Sequence, residues 1–558
     1  MAGFEDFKNS VGVDFDFSPG AQIPLSGAGR GHTVVGQALA SVAYRDGAPQ
    51  EICEPNDQAE VTAPKFSLLE PNLGEAFSRA IETRMLNEGR APLIQSFGAE
   101  PQTVVEHSLA AKRIRRQRDL RLTLIMGIFG VLFLPGVLMW LGLFQLRRTL
   151  AGSQDRRAGI LGIALLAAVA VVIVLAVFQL PLDGGWRLYI LSMLPAPVLA
   201  WFWARQVCEK AAQNLRAHWA DLLGGGGAGV QIPEAVPQNP NDSEAERLRL
   251  GLAKIGAEQS SNLIYYAGPK GILGMGVRWG SWQLAEELEP SEPGGDIDPF
   301  RSWDIARAMQ DRLRMLERGP LHTGGFPPPS IEHWVVRHVG ENATSVTRPE
   351  GPSAEGYRIS NIEVQRICNE QQFDSGDRHY LGVQFVLWDG DLVITMLITV
   401  TVLHRTLRIE VTGHALGPVH GFFHKKPAAK TKKVPHPVKF WQTQEQPVPL
   451  VHAREVVRLA ARAPLTWFPE RLDKYGGTLK LPEPFGLRHT WAVKPWRHRF
   501  MADDALRAAT PVLRVAHQAA LEVLAENGVD ISKFDARAQN LSGQVQGADP
   551  KKADEYNM

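Results

Sequence analysis

The stretch HYLGVQFVLWDGDLVITMLITVTVLHRTLRIEVTG, residues 379–413, decides the fold class of this chain of 558 residues. It is rich in β-branched and aromatic residues, which favour strands. Asp389-Gly390 lies between two apolar runs and predicts a two-residue hairpin turn, and His404-Arg405-Thr406 predicts a second turn. We therefore expect an antiparallel three-strand β-meander over residues 380–412.

Helical patterns lie on both sides of this meander. Residues 302–317 and residues 503–527 repeat apolar side chains at helical spacing. Ser243 and Glu246 have the spacing of a capping box, which predicts that a helix begins there. Because helices and antiparallel strands occur in separate blocks, residues 243–534 are predicted to form one α+β domain.

Two uncharged runs of 25 residues, 122–146 and 158–182, precede that domain. A membrane-spanning helix needs roughly 20 apolar residues to cross about 30 Å of hydrocarbon. Residues 186–204 are a third, shorter candidate with aromatic residues at both ends, as at membrane interfaces. The predicted fold class is therefore a membrane α-helical hairpin or bundle of two to three spans, within residues 122–207, joined to the α+β domain.

The topology of the first run stays open at this stage. Basic residues lie on both sides of it, and the positive-inside tendency would place both flanks in the cytoplasm. Leu134-Pro135-Gly136 at its centre permits a re-entrant hairpin, and the alternative is a proline-kinked straight crossing. Either topology predicts a multi-pass protein of the cell membrane with a cytoplasmic C-terminal domain.

Composition divides the remaining sequence. Residues 1–70 are rich in glycine, proline and alanine without periodicity, and they are predicted to be largely disordered. Residues 71–121 are predicted to be a helical, basic juxtamembrane region. Residues 208–242, with GGGGAG and several prolines, are predicted to be a linker, and residues 535–558 a disordered tail.

Charge and cysteine content exclude several classes of protein. Sixty basic and 59 acidic residues give a net charge of +1, which offers no general argument for nucleic-acid binding. The three cysteines, Cys53, Cys208 and Cys368, are too far apart in sequence for a CxxC metal pair and too few for a disulfide framework. No cofactor is predicted.

GPKGILGMGVRWG, from Gly268 to Gly280, is the segment that most resembles a phosphate-binding loop. A P-loop requires a serine or threonine after its lysine and a helix after the loop. Lys270 is followed by glycine, and the residues after the loop have the pattern of a strand. The loop is therefore predicted to be a turn between two paired strands.

Four histidines, His404, His414, His420 and His424, occur within 21 residues. The last two have the spacing of metal ligands on a helix, but neighbouring glycine and proline argue against a helix there. No metal ligand and no catalytic residue is assigned. A membrane-anchored enzyme with a site near the glycine-rich loop and these histidines is the alternative function.

NLIYYAGPKGILGMGVRWGSWQL, residues 262–284, and YLGVQFVLWDGDLVITMLITVTV, residues 380–402, resemble uncharacterised multi-pass membrane proteins of actinobacteria. The resemblance implies a membrane protein with an N-terminal hairpin and a soluble domain. It implies no activity and no functional residues.

Residues 421–441 carry six lysines bracketed by aromatic residues and are predicted to be an exposed polybasic loop. The alternative to a solvated charge run is contact with anionic lipids of the inner leaflet. The residues predicted to make that contact are Phe422, Phe423, Lys425, Lys426, Lys430, Lys432, Lys433, Lys439 and Trp441.

The leading functional prediction is an integral membrane protein that anchors a cytoplasmic partner-binding domain, which acts as a scaffold or sensor. No catalysis and no nucleic-acid binding are predicted, and the protein partner is unknown.

Overall fold

The computed structural model describes residues 33–87, 90–131, 133, 189, 192, 195–224, 232–233, 235–237, 239, 241–318, 327–339, 357–370, 373–374, 376–435 and 443–534. Within these residues the helices are α1 (Val34–Ser41), α2 (Leu73–Leu86), α3 (Pro101–Ile125), α4 (Pro195–Gly224), α5 (Ser243–Gln259), α6 (Ser302–Arg318), α7 (Asn361–Glu370), α8 (Ala453–Arg462), α9 (Pro469–Gly476) and α10 (Arg499–Glu526). The strands are β1 (Glu60–Val61), β2 (Leu263–Tyr266), β3 (Val277–Glu287), β4 (Ser330–His338), β5 (Arg378–Leu387), β6 (Leu392–Leu403), β7 (Thr406–Leu416), β8 (Thr431–Pro435), β9 (Thr443–Pro447) and β10 (Leu479–Lys480).

A six-stranded sheet with the order β2-β4-β5-β6-β7-β3 forms the centre of the fold. The β5-β6-β7 meander is antiparallel throughout, as the sequence predicts. The sheet as a whole is mixed, because β2 and β4 pair in parallel. The first turn is longer than the expected two residues: Leu387 pairs with Leu392, so the connection comprises residues 388–391.

One face of the sheet packs against two helices in an extensive apolar cluster. The register places Leu381, Ile398 and Val411 side by side on β5, β6 and β7. All three are buried in one cluster with the apolar sides of α6 and α10. This packing explains why the sequence shows strong helical periodicity in both helices.

The other face is covered by the glycine-rich loop, and this corrects the predicted hairpin. β2 and β3, which the loop connects, lie at opposite edges of the sheet. The loop first turns back on β2: Ile272 pairs antiparallel with Tyr266, and the Leu273 amide donates a hydrogen bond to the Tyr265 carbonyl oxygen. Residues 274–276 then lead to the start of β3. Met275 packs beneath the loop against Trp334 and Leu397.

A helical layer built from α1 to α5 packs beside the sheet and shares a core with residues from the C-terminal half. α1 lies within the segment predicted to be disordered, yet seven of its eight residues are buried. α4 continues through residues 208–224, where a linker is predicted. β1 pairs with β10, so the segment around residue 60 is attached to residues 479–480.

None of the helices in the described part of the chain is both long enough and apolar enough to cross a membrane. This finding overturns the predicted membrane hairpin or bundle, the integral membrane anchor and the cell-membrane location. Helix α3 contains only the beginning of the first uncharged run, and α4 extends 20 residues beyond the end of the third candidate span. Helix α3 contains eight charged residues and α4 contains five. Six basic residues of α3 precede the run: Lys112, Arg113, Arg115, Arg116, Arg118 and Arg121.

Parts of the three predicted spans lie outside the described residues. These are 132 and 134–146 of the first run, all of 158–182, and 186–188, 190–191 and 193–194 of the third. The disordered tail predicted for 535–558 also lies outside the described residues, as do residues 1–32.

Candidate functional site

The turn between β5 and β6 has an unusual backbone. Trp388 and Asp389 are consecutive non-glycine residues with positive φ, 55° and 51°, and Gly390 follows with a φ of 95°. A bulky residue in this region is a genuine outlier and costs of order 1–3 kcal/mol, so surrounding contacts must hold it. Gly390 lies against Gly98 and Thr33, where a Cβ would meet the Gly98 carbonyl oxygen at 2.8 Å.

Contacts with the start of α10 hold the Trp388 indole at the surface. Its Nε1 donates a hydrogen bond of 3.0 Å to Asp504 Oδ2. The His498 ring packs edge-on against it, with ring centroids 4.6 Å apart, and Phe500 lies next to His498. Trp388 remains 41% exposed and Phe500 68% exposed. The strained turn thus presents an aromatic surface that is fixed in position.

Buried polar atoms without hydrogen-bond partners lie behind this surface. Among the described residues, Asp391 Oδ1, His424 Nε2 and His498 Nδ1 are shielded from solvent and unpaired. Burial lowers the pKa of His424, with Arg497 and Arg45 acting in the same direction and Asp391 opposing them. His424 is therefore neutral at pH 7. A buried polar atom costs free energy unless a hydrogen-bond partner satisfies it.

Three arginines surround the aromatic surface, each near an aspartate. Arg497 lies 3.9 Å from Asp391, Arg499 lies 3.8 Å from Asp503, and Arg507 lies 3.5 Å from Asp504. The arginine side chains are 47%, 62% and 79% exposed, whereas those of the aspartates are 19%, 31% and 34% exposed. The charge that faces solvent is therefore mainly positive. We call this surface the tip site: Trp388, Asp391, His424, Arg497, His498, Arg499, Phe500, Asp503, Asp504 and Arg507.

The structure does not assemble the four clustered histidines into one site. His404 lies in the turn before β7, and His414 is eight residues into that strand, so the two are separated by roughly 30 Å. Burial lowers the pKa of His414 to about 4, with Arg278 acting in the same direction. His420 accepts a hydrogen bond from the Phe422 amide and so caps a short turn. Only His424 belongs to the tip site.

The described part of the polybasic segment is less exposed than predicted. The rings of Phe422 and Phe423 are buried in the helical core, and Arg45 donates hydrogen bonds to both of their carbonyl oxygens. In this conformation neither ring can contact a lipid surface. Lys425, Lys426 and Lys430 are exposed; Lys425 lies 3.3 Å from Glu54 and Lys430 lies 3.4 Å from Asp46.

Lys432 and Lys433 lie on β8, which pairs with β9. Lys439 and Trp441 lie outside the described residues. Lipid contact by the lysines stays a prediction.

The glycines of the glycine-rich loop allow its backbone to pack closely against neighbouring segments. Gly276 approaches β7 so closely that a Cβ would meet the Ala415 carbonyl oxygen at 2.1 Å, and Gly274 approaches the Gln95 carbonyl in a similar way. Both have positive φ. Within the described residues, no group of three histidine, cysteine or acidic side chains is arranged to hold a metal ion.

The sequence pattern predicts a turn at Asp389-Gly390 and does not identify Asp391 or the residues at the start of α10 as parts of a site. The signal was present in WRHRF, residues 496–500, where aromatic and basic residues alternate. Nothing in the sequence places this segment beside the β5–β6 turn, which lies over 100 residues earlier.

No curated protein and no solved structure matches this chain. One family model matches, over residues 281–551, and it describes an uncharacterised domain. This agrees with the expected relation to an uncharacterised family, although neither an actinobacterial origin nor a multi-pass layout is part of the match. The region that contains every residue of the tip site thus matches the AbeC-like domain.

Proposed function

We propose that the domain is a recognition module that binds a protein partner through the tip site. The observation that carries the proposal is the exposed indole of Trp388 on a strained backbone, held by Asp504 and His498. Tryptophan and arginine are the residue types enriched at interface hot spots. An anchor that is rigid before binding loses little conformational entropy when the partner docks.

The exposure of Arg497, Arg499 and Arg507 favours a partner with an acidic surface. Their paired aspartates lie deeper, so the partner meets guanidinium groups before carboxylates. Such charges mainly raise the association rate, and this effect weakens as salt screens it. The partner is expected to combine an apolar pocket for Trp388 and Phe500 with a rim of carboxylates.

The test is site-specific photo-crosslinking of the full chain, with a photoreactive phenylalanine at position 500 in its native cells. A defined protein adduct is expected, and the same group at Ile362, which is 81% exposed on α7, serves as the control. The purified partner should then bind Trp388→Ala about 30-fold more weakly than the parent chain, a typical hot-spot loss. Equal binding of the parent and Trp388→Ala, or adducts that are the same at both positions, would contradict the proposal.

A further inference from the structure

The described part of the chain begins beside the tip site. Thr33, the first described residue, is the N-cap of α1, and its hydroxyl donates a hydrogen bond of 2.8 Å to the Gly98 carbonyl oxygen. A Cβ at Gly390, in the β5–β6 turn, would lie 3.1 Å from the Thr33 Cβ. Trp388 is two residues from Gly390, so their Cα atoms are at most about 7.6 Å apart. Residues 1–32 therefore join the described chain next to the turn that carries Trp388.

The sequence of that N-terminal segment combines aromatic and acidic side chains. Residues 4–17, FEDFKNSVGVDFDF, contain four phenylalanines, four carboxylates and one lysine. In Asp14-Phe15-Asp16-Phe17 the two types alternate. Because side chains alternate between the two sides of an extended backbone, such a segment can present both rings to one surface and both carboxylates beside them.

The tip site presents the complementary groups. The rings of Trp388 and Phe500 are exposed there. The guanidinium groups of Arg497, Arg499 and Arg507 are more exposed than the aspartates with which they pair. Aromatic rings attract one another in stacked or edge-to-face contacts, and arginine binds carboxylates through charge-assisted hydrogen bonds. A segment that alternates phenylalanine and aspartate therefore matches the site in both apolar character and charge.

The length of the connection permits this contact. Residues 18–32 connect Phe17 to Thr33. Sixteen Cα–Cα steps of about 3.3 Å reach at most roughly 50 Å. Trp388 lies much closer to Thr33 than that. A binding segment on the same chain also has a high effective concentration at its site, so a weak contact is enough to occupy it.

We propose that residues 14–17 of this chain occupy the tip site when no partner is bound. Phe15 and Phe17 pack on its aromatic side chains, and Asp14 and Asp16 pair with its arginines. The inference rests on the proposed function, because it makes the segment an intramolecular competitor of the partner. The partner then binds only the fraction of molecules from which the segment is released, and its apparent dissociation constant rises accordingly.

Photo-crosslinking within the purified full chain tests the contact in the absence of a partner. A photoreactive phenylalanine at position 17 is expected to form an adduct with residues 388–391 or 496–507, located by digestion and mass spectrometry. The matched control carries the same group at Leu25, which is closer to Thr33 along the chain but outside the alternating motif. Equal adduct yields at the two positions, or adducts that join two differently labelled copies of the chain, would overturn the proposal.

Charge reversal tests the recognition itself. Asp14→Lys with Asp16→Lys should lower the adduct yield about tenfold, because lysines then face arginines. Adding Arg499→Glu and Arg507→Glu should restore the adduct, which a misfolded domain could not do. An unchanged yield in the first variant, or no recovery in the second, would count against the proposed contact.

Partner binding separates this inference from the proposed function. If the segment occupies the site in about nine-tenths of the molecules, Asp14→Lys with Asp16→Lys should lower the apparent dissociation constant of the partner about tenfold. An adduct in the purified chain without any partner in cells would remove the proposed function and leave the intramolecular contact standing. A partner whose affinity is the same for the parent chain and the double variant would refute the competition.

Discussion

Glu75 and Arg462, 387 residues apart in sequence, form a buried ion pair with two hydrogen bonds, 2.6 Å from Nη1 to Oε2 and 2.5 Å from Nη2 to Oε1. Burial alone would raise the pKa of Glu75, but Arg462, Arg115 and Arg118 lower it to about 2. The pair joins α2 in the helical layer to α8 in the C-terminal half, so the region outside the AbeC-like match is part of the same folded unit.

Replacing Arg462 with methionine should lower the free energy of unfolding by about 3–5 kcal/mol, because Glu75 is left charged in the interior without its main partner. Urea denaturation followed by circular dichroism measures this loss. Arg366→Met is the control, since Arg366 pairs with Glu363 and Glu370 on the exposed surface of α7. No measurable loss is expected there, and similar losses in both variants would contradict a buried pair.

Alanine substitutions in the glycine-rich loop should separate backbone strain from steric overlap. Gly276 and Gly271 both have positive φ, but only Gly276 would place a Cβ against β7, since a Cβ at Gly271 meets nothing within 4 Å. Gly276→Ala should therefore be less stable than Gly271→Ala by about 1–3 kcal/mol, the usual cost of forced overlap. Thermal unfolding of both variants measures the difference. Equal stabilities would mean that the loop does not lie on the sheet as described.

The His333–His379 pair should make stability decrease with acidity. His333 Nδ1 lies 2.9 Å from His379 Nε2, and Trp303 packs on both rings. Burial lowers the pKa of His333 to about 4, with Arg314 acting in the same direction, and burial lowers the pKa of His379 as well.

The unfolded chain binds protons at these sites more readily than the folded chain. The contribution of the neutral histidine pair to folding stability is therefore complete above about pH 6.5 and is lost as the pH falls towards 4. For His333 alone the loss is at most roughly 3 kcal/mol. His333→Gln should flatten the pH profile of urea midpoints between pH 7 and 5, whereas His404→Gln, in an exposed turn, should leave it unchanged. A profile that His333→Gln leaves unaltered would refute the role of the pair.

Glycine at position 389 should stabilise the protein. Asp389 has φ 51° and ψ 39°, a conformation that costs most L-residues about 1–2 kcal/mol and glycine little. Part of the gain is offset by the greater freedom of glycine in the unfolded chain, so a net increase of up to about 1 kcal/mol is expected. Asp298→Gly makes the same change on an exposed loop residue without positive φ and should lower the melting temperature instead. A lower melting temperature for Asp389→Gly would show that the contacts of the Asp389 side chain stabilise the fold by more than the backbone strain costs.

The sequence by itself determined the elements whose signals are local. Two turns and the β-branched runs between them predicted β5, β6 and β7, because strand pairing across a short turn depends on neighbouring residues. Apolar spacing likewise predicted α6 and α10, whose boundaries differ from expectation by a few residues at most. Uncharged runs predicted membrane spans, but none of the described helices is both long and apolar enough to cross a membrane.

Tertiary structure alone decided the contacts between distant segments. It placed β2 and β3 at opposite edges of one sheet, buried Phe422 and Phe423, and brought the α10 start to the β5–β6 turn. Hydrophobic patterns show that a residue is buried without showing against which partner, because burial is non-directional. The tip site depends on that missing information: Trp388 and Asp504 are 116 residues apart, and their hydrogen bond forms only once the sheet and α10 have packed together.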